Sequence, residues 1–121
     1  MSRVRALRGA TTVDVDTAEQ VHARTVALLE QMCERNGVDR DHVISVLFTS
    51  TPDIRSAFPA AAARSIGFDD IPLLGAQELD VEGALPLCIR VLMHLETDRD
   101  RSELRHVYLE RATSLRSDLA D

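Results

Sequence analysis

Apolar and polar positions along the chain form one long amphipathic segment and several short apolar runs. The long segment begins at Asp16, which has Glu19 three residues on as a capping-box partner, and it ends at Asn36-Gly37. Within the segment, apolar or small residues recur at helical spacing and predict one buried stripe of Ala18, Val21, Thr25, Leu28, Leu29 and Met32. We therefore expect a helix here that packs one face on a sheet.

The short apolar runs alternate or are rich in β-branched residues, which favours strands. They predict five strands, over residues 3–8, 43–49, 72–77, 88–95 and 106–111. The alanine-rich residues 60–64, with Pro59 in the first turn, predict a short helix. The order of these elements predicts an α+β fold, a single domain over residues 1–121 with one mixed β-sheet packed by the long helix, and a mobile C-terminal tail over residues 112–121.

Two of the predicted strands, residues 43–49 and 88–95, are apolar on both faces. The long helix can cover only one face of the sheet, and the chain has no second amphipathic helix of similar length for the other. An apolar face that the chain does not cover itself is commonly buried against another copy. The pattern therefore predicts an oligomer whose subunits cover each other's sheets.

Composition agrees with one globular domain. The 121 residues are 45% apolar and 28% charged, which is enough for one core. The formal net charge of −6 argues against a nucleic-acid partner and against binding to an anionic membrane. No run approaches the roughly 18 apolar residues of a membrane span, and the N-terminus lacks the apolar core of a signal peptide. We expect a cytoplasmic protein.

The residue types that could take part in chemistry exclude several kinds of site. All fourteen basic residues are arginine, so the chain has no lysine for a Schiff base, a pyridoxal-phosphate attachment or a P-loop. The four histidines lack ligand-like spacing, Cys33 and Cys88 lie far apart, and no Gly-x-Ser-x-Gly motif occurs. We therefore expect no metal, no cofactor and no covalent intermediate.

Two arginines interrupt apolar strands. Arg90 shares a strand face with Cys88 and Leu92, and Arg8 lies at the end of the first predicted strand, just before Gly9. A buried guanidinium without a partner costs several kcal/mol, so each of the two must meet an anion. That anion is either an internal carboxylate or a ligand held by a planar, bidentate donor. The residues alone leave both interpretations open.

Two further polar side chains lie near predicted strands. Glu78 follows an apolar strand, either as one of a carboxylate pair with Asp80 or as a partner for Arg8 and Arg90. Tyr108, the one tyrosine, either lines a polar pocket or is a core residue with a satisfied hydroxyl. Taken together, these residues indicate a site that binds and orients an anion.

Four segments along the chain match one known family in sequence and in order. They are VRALRGATTV (4–13), TPDIRSAFPA (51–60), QELDVEGALPLCIRV (77–91) and RHVYLERATSLR (105–116). In these segments the chain resembles the monofunctional chorismate mutases of the trimeric, mixed-sheet type, as distinct from the all-helical type. The resemblance implies a homotrimer that forms a pseudo-α/β barrel, with active sites at the subunit interfaces.

The resemblance also implies an activity, the pericyclic rearrangement of chorismate to prephenate on the route to phenylalanine and tyrosine. By resemblance, Arg90 binds a carboxylate and places its charge beside the ether oxygen of the substrate. Arg8 holds a carboxylate, Glu78 accepts a hydrogen bond from the ring hydroxyl, and Tyr108 hydrogen-bonds the substrate. No acid, base, nucleophile or cofactor is implied.

The remaining site residues are also assigned by resemblance. The backbone of Leu74 and Gly75 contacts the substrate. Phe58 and Arg64 line the mouth of a pocket shared between neighbouring subunits. Arg116, in the C-terminal tail, closes over that pocket.

The chain departs from the family pattern at two places. Ala61 stands where a basic residue is expected, and Leu74 and Gly75 stand where small polar residues are expected. These departures bear on substrate affinity or hydroxyl contacts, and neither touches Arg8, Tyr108 or the pair of Arg90 and Glu78. The alternative function is a non-catalytic, dicarboxylate-binding trimeric module, and the presence of that pair favours the enzyme because a scaffold needs neither residue.

Overall fold

Five strands form one mixed sheet in the protein, whose structure is a computed structural model that describes residues 2–116, Arg116 by its backbone alone. In chain order the elements are β1 (Arg3–Thr12), α1 (Ala18–Asn36), β2 (Val43–Ser50), α2 (Pro59–Ser65), β3 (Leu73–Gln77), β4 (Cys88–Thr97) and β5 (Val107–Tyr108). Short 3₁₀ helices lie at Arg40–His42, Arg101–Glu103 and Glu110–Arg116. The predicted α+β fold with a single mixed sheet is confirmed.

The strand β4 lies at the centre of the sheet, whose strand order is β3-β2-β4-β1-β5. It pairs antiparallel with β1 on one side and with β2 on the other, while β3 and β5 pair parallel to their neighbours at the two edges. Strands with partners on both sides have their backbone groups satisfied within the sheet. The backbone of β4 is therefore held from both directions.

The helix α1 packs on one face of the sheet, here called the helix face. The buried residues of the predicted stripe are Val21, Thr25, Leu28, Leu29 and Met32. Ala18 is exposed, so its predicted place in the stripe is wrong, because α1 first meets the core at Val21. The helix ends at Gly37, which adopts a left-handed backbone with φ of 58°, as the sequence predicts.

Two strands differ from their predicted bounds by more than two residues, and the other three differ by one or two. The first strand continues past residue 8 to Thr12, because the residues after Gly9 still pair with β4. The last strand was predicted over residues 106–111 but pairs with β1 only through Val107 and Tyr108. The strand ends there because Glu110 has a positive φ of 52° and starts a 3₁₀ helix.

The start of α1 is also different from its prediction. Thr17, not Asp16, caps the helix, and its side chain accepts a hydrogen bond from the Gln20 backbone N–H at 3.2 Å. The predicted capping box between Asp16 and Glu19 is therefore wrong. The Asp16 carboxylate instead meets backbone and hydroxyl donors of the loop at residues 51–58, here called the β2–α2 loop.

Three hydrogen bonds tie Asp16 to the β2–α2 loop. Its Oδ2 accepts from the Arg55 N–H at 2.9 Å, and its Oδ1 accepts from the Ser56 N–H at 3.2 Å and the Ser56 hydroxyl at 2.6 Å. The Ser56 hydroxyl and the Arg55 N–H hold the pKa of Asp16 below its usual value. The part of the loop that follows β2 is tied to the start of β4, since the Leu87 N–H donates to Asp53 at 3.0 Å.

The second face of the sheet, here called the open face, has neither α-helix packed on it. The 3₁₀ helix Glu110–Arg116 touches one corner, where Ala112 packs against Ala10 and Tyr108. Elsewhere this face leaves apolar side chains in solvent, with Val4 61% and Leu74 63% exposed. The predicted uncovered face is thus present. No helix in the described part of the chain is long and apolar enough to cross a membrane.

Close packing of β1 against α1 makes Gly9 sensitive to substitution. A Cβ at Gly9 would meet the Met32 sulfur at 2.5 Å and a Leu28 methyl at 3.0 Å. Gly9→Ala should therefore lower the free energy of unfolding by about 1–3 kcal/mol, the usual effect of overpacking. Gly75→Ala is the matched control, because its nearest neighbour is a backbone oxygen at 3.9 Å. Urea unfolding of both variants at one protein concentration tests this, and equal stability would contradict it.

Asp16 should make the stability of the fold depend on pH in acid. Its pKa is lower in the folded chain than in the unfolded chain. The carboxylate therefore stabilises the fold above the ordinary pKa of 3.8, and this contribution disappears as the pH falls through the folded pKa. Asp16→Asn should melt below wild type at pH 7, and the gap should narrow toward pH 3.

The control for this prediction is Asp41→Asn, an exposed carboxylate whose side chain makes no hydrogen bond within the described residues. Its melting temperature should follow that of wild type at both pH values. A constant gap between wild type and Asp16→Asn from pH 7 to pH 3 would show that the carboxylate charge is not what ties the loop.

Candidate active site

Cross-strand register places several polar side chains in one row on the open face. Thr49 of β2 lies opposite Arg90 of β4, Arg90 lies opposite Ala10 of β1, and Ala10 lies opposite Tyr108 of β5. Because neighbouring strands are about 4.8 Å apart, the backbones of Arg90 and Tyr108 are separated by about 10 Å. The small side chain of Ala10 lies between them and packs against Ala112 of the last 3₁₀ helix.

Arg8 lies one row away on the same face of β1, opposite Leu92. Its backbone N–H donates to Nδ1 of His106 at 3.0 Å, which fixes this part of β1 against the chain that leads into β5. Its side chain is exposed and forms no ion pair within the described residues. The structure therefore brings a second cation close to Arg90 on the open face.

Glu78 extends the pairing of β3 with β2 by one residue, because its N–H donates to the Ser50 carbonyl at 2.9 Å. This places its side chain on the open face, beside the row. The carboxylate Oε2 accepts from the Thr49 hydroxyl at 2.6 Å and lies 3.2 Å from Nε of Arg90. The side chains of Arg90 and Glu78 are 36% and 17% exposed, so this ion pair is only partly screened by water.

Arg90 and Tyr108 each keep a polar atom without a hydrogen bond. Nε of Arg90 is buried and near Glu78, but its N–H is not aligned for a hydrogen bond within the described residues. The hydroxyl of Tyr108 is buried and has no partner in the same part of the chain. Buried polar atoms are almost always paired, so these two are suited to contact a polar ligand. Both interpretations of Tyr108 stay predictions, because its ring packs with Ala10 and Ala112 while its hydroxyl has no partner among the described residues.

A cleft of about 690 Å³ lies between β3 and the β2–α2 loop, and α2 contributes to its wall. Four residues that the family resemblance assigns line it, namely Phe58, Arg64, Leu74 and Gly75. Phe58 is 79% exposed, which is unusual for so large an apolar side chain. The lining of this cleft does not include Arg8, Glu78, Arg90 or Tyr108.

The predicted site residues thus fall into two groups within one chain. The first group, here called the cation row, is Arg90 and Tyr108 of the row described above together with Arg8 and Glu78 beside it on the open face. The second group surrounds the cleft. The side chain of Arg116 lies outside the described residues, and Asp80 forms no ion pair with Arg8 or Arg90 among the described residues.

Sequence reasoning missed Thr49 and misassigned Asp16. Thr49 could be recognised only from the pairing of β2 with both neighbours, because β4 places it opposite Arg90 and β3 brings Glu78 to its hydroxyl. Asp16 ties down the loop that contains Phe58, although its sequence context is that of a helix cap. The alternation of apolar and polar residues along one strand does not indicate the contact of Thr49 with Glu78 or that of Asp16 with the loop.

The buried thiol of Cys88, two residues before Arg90, does not add a nucleophile to the site. Burial raises its pKa, so the thiol stays protonated at neutral pH. In the described part of the chain, no three His, Cys, Asp or Glu side chains are grouped to hold a metal ion. The arrangement can bind anions and donate or accept hydrogen bonds around a small polar ligand.

Comparison with known proteins identifies the family of the chain. The family model described as chorismate mutase type I matches residues 4–119. A chorismate mutase (AroH) of Thermus thermophilus is 50% identical over 117 residues, which cover 96% of this chain and 96% of that protein. A chorismate mutase (AroH) of Bacillus subtilis (strain 168) is 43% identical over 118 residues, which cover 97% of this chain and 93% of that protein.

The fold leads to the same family. A solved structure of a chorismate mutase from Clostridium thermocellum superposes with a TM-score of 0.89 at 47% sequence identity, covering 91% of this chain and 98% of that one. The resemblance inferred from four sequence segments is therefore confirmed over nearly the whole chain. The chain belongs to the chorismate mutase type I family.

Proposed function

We propose that the cation row and the cleft together convert chorismate to prephenate by binding, orientation and charge alone. Membership of the family makes the chain a chorismate mutase, an isomerase. The proposal concerns the roles of the residues, the steps of the reaction and the assembly of the chain. It also places the enzyme in the cytoplasm and on the route to phenylalanine and tyrosine. The observation that supports it most directly is the partly exposed Arg90 guanidinium, held beside Glu78 in a row with Tyr108.

The reaction makes limited demands on a protein. One C–O bond breaks and one C–C bond forms within the same molecule, and no proton enters or leaves. The substrate is a flexible dicarboxylate that must adopt the compact conformer in which the bonding carbons meet. Holding that conformer removes an entropic part of the barrier, and a fixed positive charge at the breaking bond lowers the rest.

Arg90 supplies the charge. It lies on the central strand β4, which is paired on both sides, so its backbone cannot shift when the substrate changes charge distribution. In the proposal, its guanidinium binds one carboxylate and faces the ether oxygen, which gains negative charge only as the C–O bond breaks. An interaction that strengthens in the transition state raises kcat rather than affinity alone.

Arg8, Tyr108 and Glu78 orient the substrate around Arg90. The Arg8 side chain has no ion-pair partner within the described residues and binds a carboxylate in the proposal. The buried Tyr108 hydroxyl donates to the substrate, which satisfies it. Glu78 accepts a hydrogen bond from the ring hydroxyl.

A neighbouring copy of the chain completes each site in this proposal. The lining of the cleft includes no residue of the cation row, and the open face leaves Val4 and Leu74 exposed. In a homotrimer shaped as a pseudo-α/β barrel, the cleft of one copy would close over the cation row of the next. Phe58 and Arg64 would then line the mouth of the pocket, and the backbone of Leu74 and Gly75 would contact substrate.

Two further residues bear on affinity rather than on the rate of the chemical step. Ala61 is exposed on α2, where the family resemblance leads us to expect a basic residue, so one anion contact fewer is available at the mouth. Arg116 would close over the pocket from the C-terminal tail. Neither contacts Arg90 in this proposal.

Removing the charge at position 90 should nearly abolish turnover. Arg90→Gln should lower kcat/KM by at least about 10² to 10³, the usual cost of one transition-state donor, measured as loss of chorismate absorbance. Arg101→Gln, an exposed arginine outside both groups, is the matched control. Wild-type protein without turnover, or Arg90→Gln with full activity, would contradict the proposal, and the first result would favour the dicarboxylate-binding module.

A shared site should allow two impaired variants to restore each other. The wild type should run in light scattering at three times the mass of one chain. Arg90→Gln and Arg64→Gln should each be impaired alone, while their co-expressed mixture should regain part of the activity. Activity returns because, at some interfaces between two different copies, one copy supplies an intact Arg90 and the other an intact Arg64. A monomer, or a mixture no more active than its components, would contradict the shared site.

A further inference from the structure

The two carboxylate oxygens of Glu78 are used differently. Oε2 accepts the Thr49 hydroxyl at 2.6 Å and also lies 3.2 Å from Nε of Arg90. Oε1 makes no hydrogen bond within the described residues. One oxygen is therefore occupied by the protein, and the other remains an acceptor on the open face.

We infer that Thr49 is a positioning residue for the reaction, which keeps Glu78 and Arg90 from forming a closed pair with each other. The inference rests on the proposed function, in which Glu78 accepts the substrate hydroxyl and Arg90 acts on the ether oxygen. Both tasks need free hydrogen-bonding positions. Thr49 preserves them by holding one oxygen of Glu78 in place.

A carboxylate and a guanidinium that meet without other constraints prefer a bidentate pair, with two parallel N–H to oxygen hydrogen bonds. Such a pair would use both oxygens of Glu78 and two donors of Arg90. In this structure Nε of Arg90 lacks an aligned hydrogen bond even though Oε2 is close to it. The Thr49 hydroxyl thus holds Glu78 in a position that falls short of the bidentate arrangement.

The side chain of Thr49 suits this role for two physical reasons. An ionised carboxylate only accepts hydrogen bonds, so the hydroxyl must act as the donor. Threonine is β-branched, which restricts its χ1 angle and therefore the direction in which its hydroxyl points. Its backbone lies opposite Arg90 in the ladder between β2 and β4, so the distance from donor to ion pair is fixed by the sheet.

Isosteric replacement separates the hydroxyl from the shape of the side chain. Thr49→Val keeps the β-branch and should lower kcat/KM about tenfold to a hundredfold, the range for a hydrogen bond to a charged group. Thr49→Ser keeps the donor and should stay within about threefold of wild type, the loss being limited to side-chain rigidity. If Ser and Val variants lose activity equally, or if neither does, the inference is wrong.

A matched control exists on the same strand and the same face. The Ser45 hydroxyl contacts His94 at 3.3 Å and lies outside the site, so Ser45→Ala should turn over at the wild-type rate. The oligomeric state and melting temperature of each variant show whether it is folded. Where Thr49→Val does not fold, Thr49→Ala takes its place, since it removes the same donor without adding volume.

A double-mutant cycle tests whether Thr49 acts through Glu78. In a Glu78→Ala background, Thr49→Val should change kcat/KM by less than about twofold, because its partner is already absent. Losses that multiply instead would show that Thr49 acts independently of Glu78, and they would overturn the inference.

A crystal structure of Thr49→Val distinguishes failure of this inference from failure of the proposed function. Both oxygens of Glu78 should then lie within hydrogen-bond distance of Arg90, whether or not the wild-type protein turns over chorismate. An unchanged single contact would overturn the inference even if the enzyme is active. Absence of wild-type turnover would instead overturn the proposed function alone.

Discussion

The single contact between Arg90 and Glu78 on the open face is the interaction on which the rest of the site depends. A guanidinium on an otherwise apolar central strand is tolerated only with an anion nearby. Glu78 provides that anion through Oε2, and the Thr49 hydroxyl shares the same oxygen. In the proposed function, this single contact stabilises the arginine on the sheet and leaves its other donors open to a second anion.

In the proposed function, stability and chemistry belong to opposite faces of one sheet. Leu7, Val91 and Met93 face α1 and join the largest core cluster, while the alternate positions of the same strands face outward. Arg90 lies between Ile89 and Val91, both buried on the helix face. The period of two along a strand thus places a charged group within one residue of the core without burying it there.

Much of the fold follows from the sequence, because it depends on patterns local to each element. The stripe from Val21 to Met32, the stop at Gly37 and the apolar character of β4 are all visible in short windows. The contacts that define the site are not local. Thr49, Arg90 and Tyr108 belong to strands far apart in sequence, and only their register brings them into one row. Asp16 likewise has the sequence context of a helix cap. Only the fold brings the β2–α2 loop beside it, where the loop donates hydrogen bonds to its carboxylate.

The central claim is that this site accelerates a rearrangement without moving a proton. Comparing kcat in H₂O and in D₂O, with the viscosity matched, tests it directly. A reaction driven by orientation and fixed charge predicts the same kcat in both solvents. A clearly lower kcat in D₂O would mean that a proton is transferred in the rate-limiting step, as in general acid–base catalysis, and it would contradict the role assigned here to Arg90, Glu78 and Tyr108.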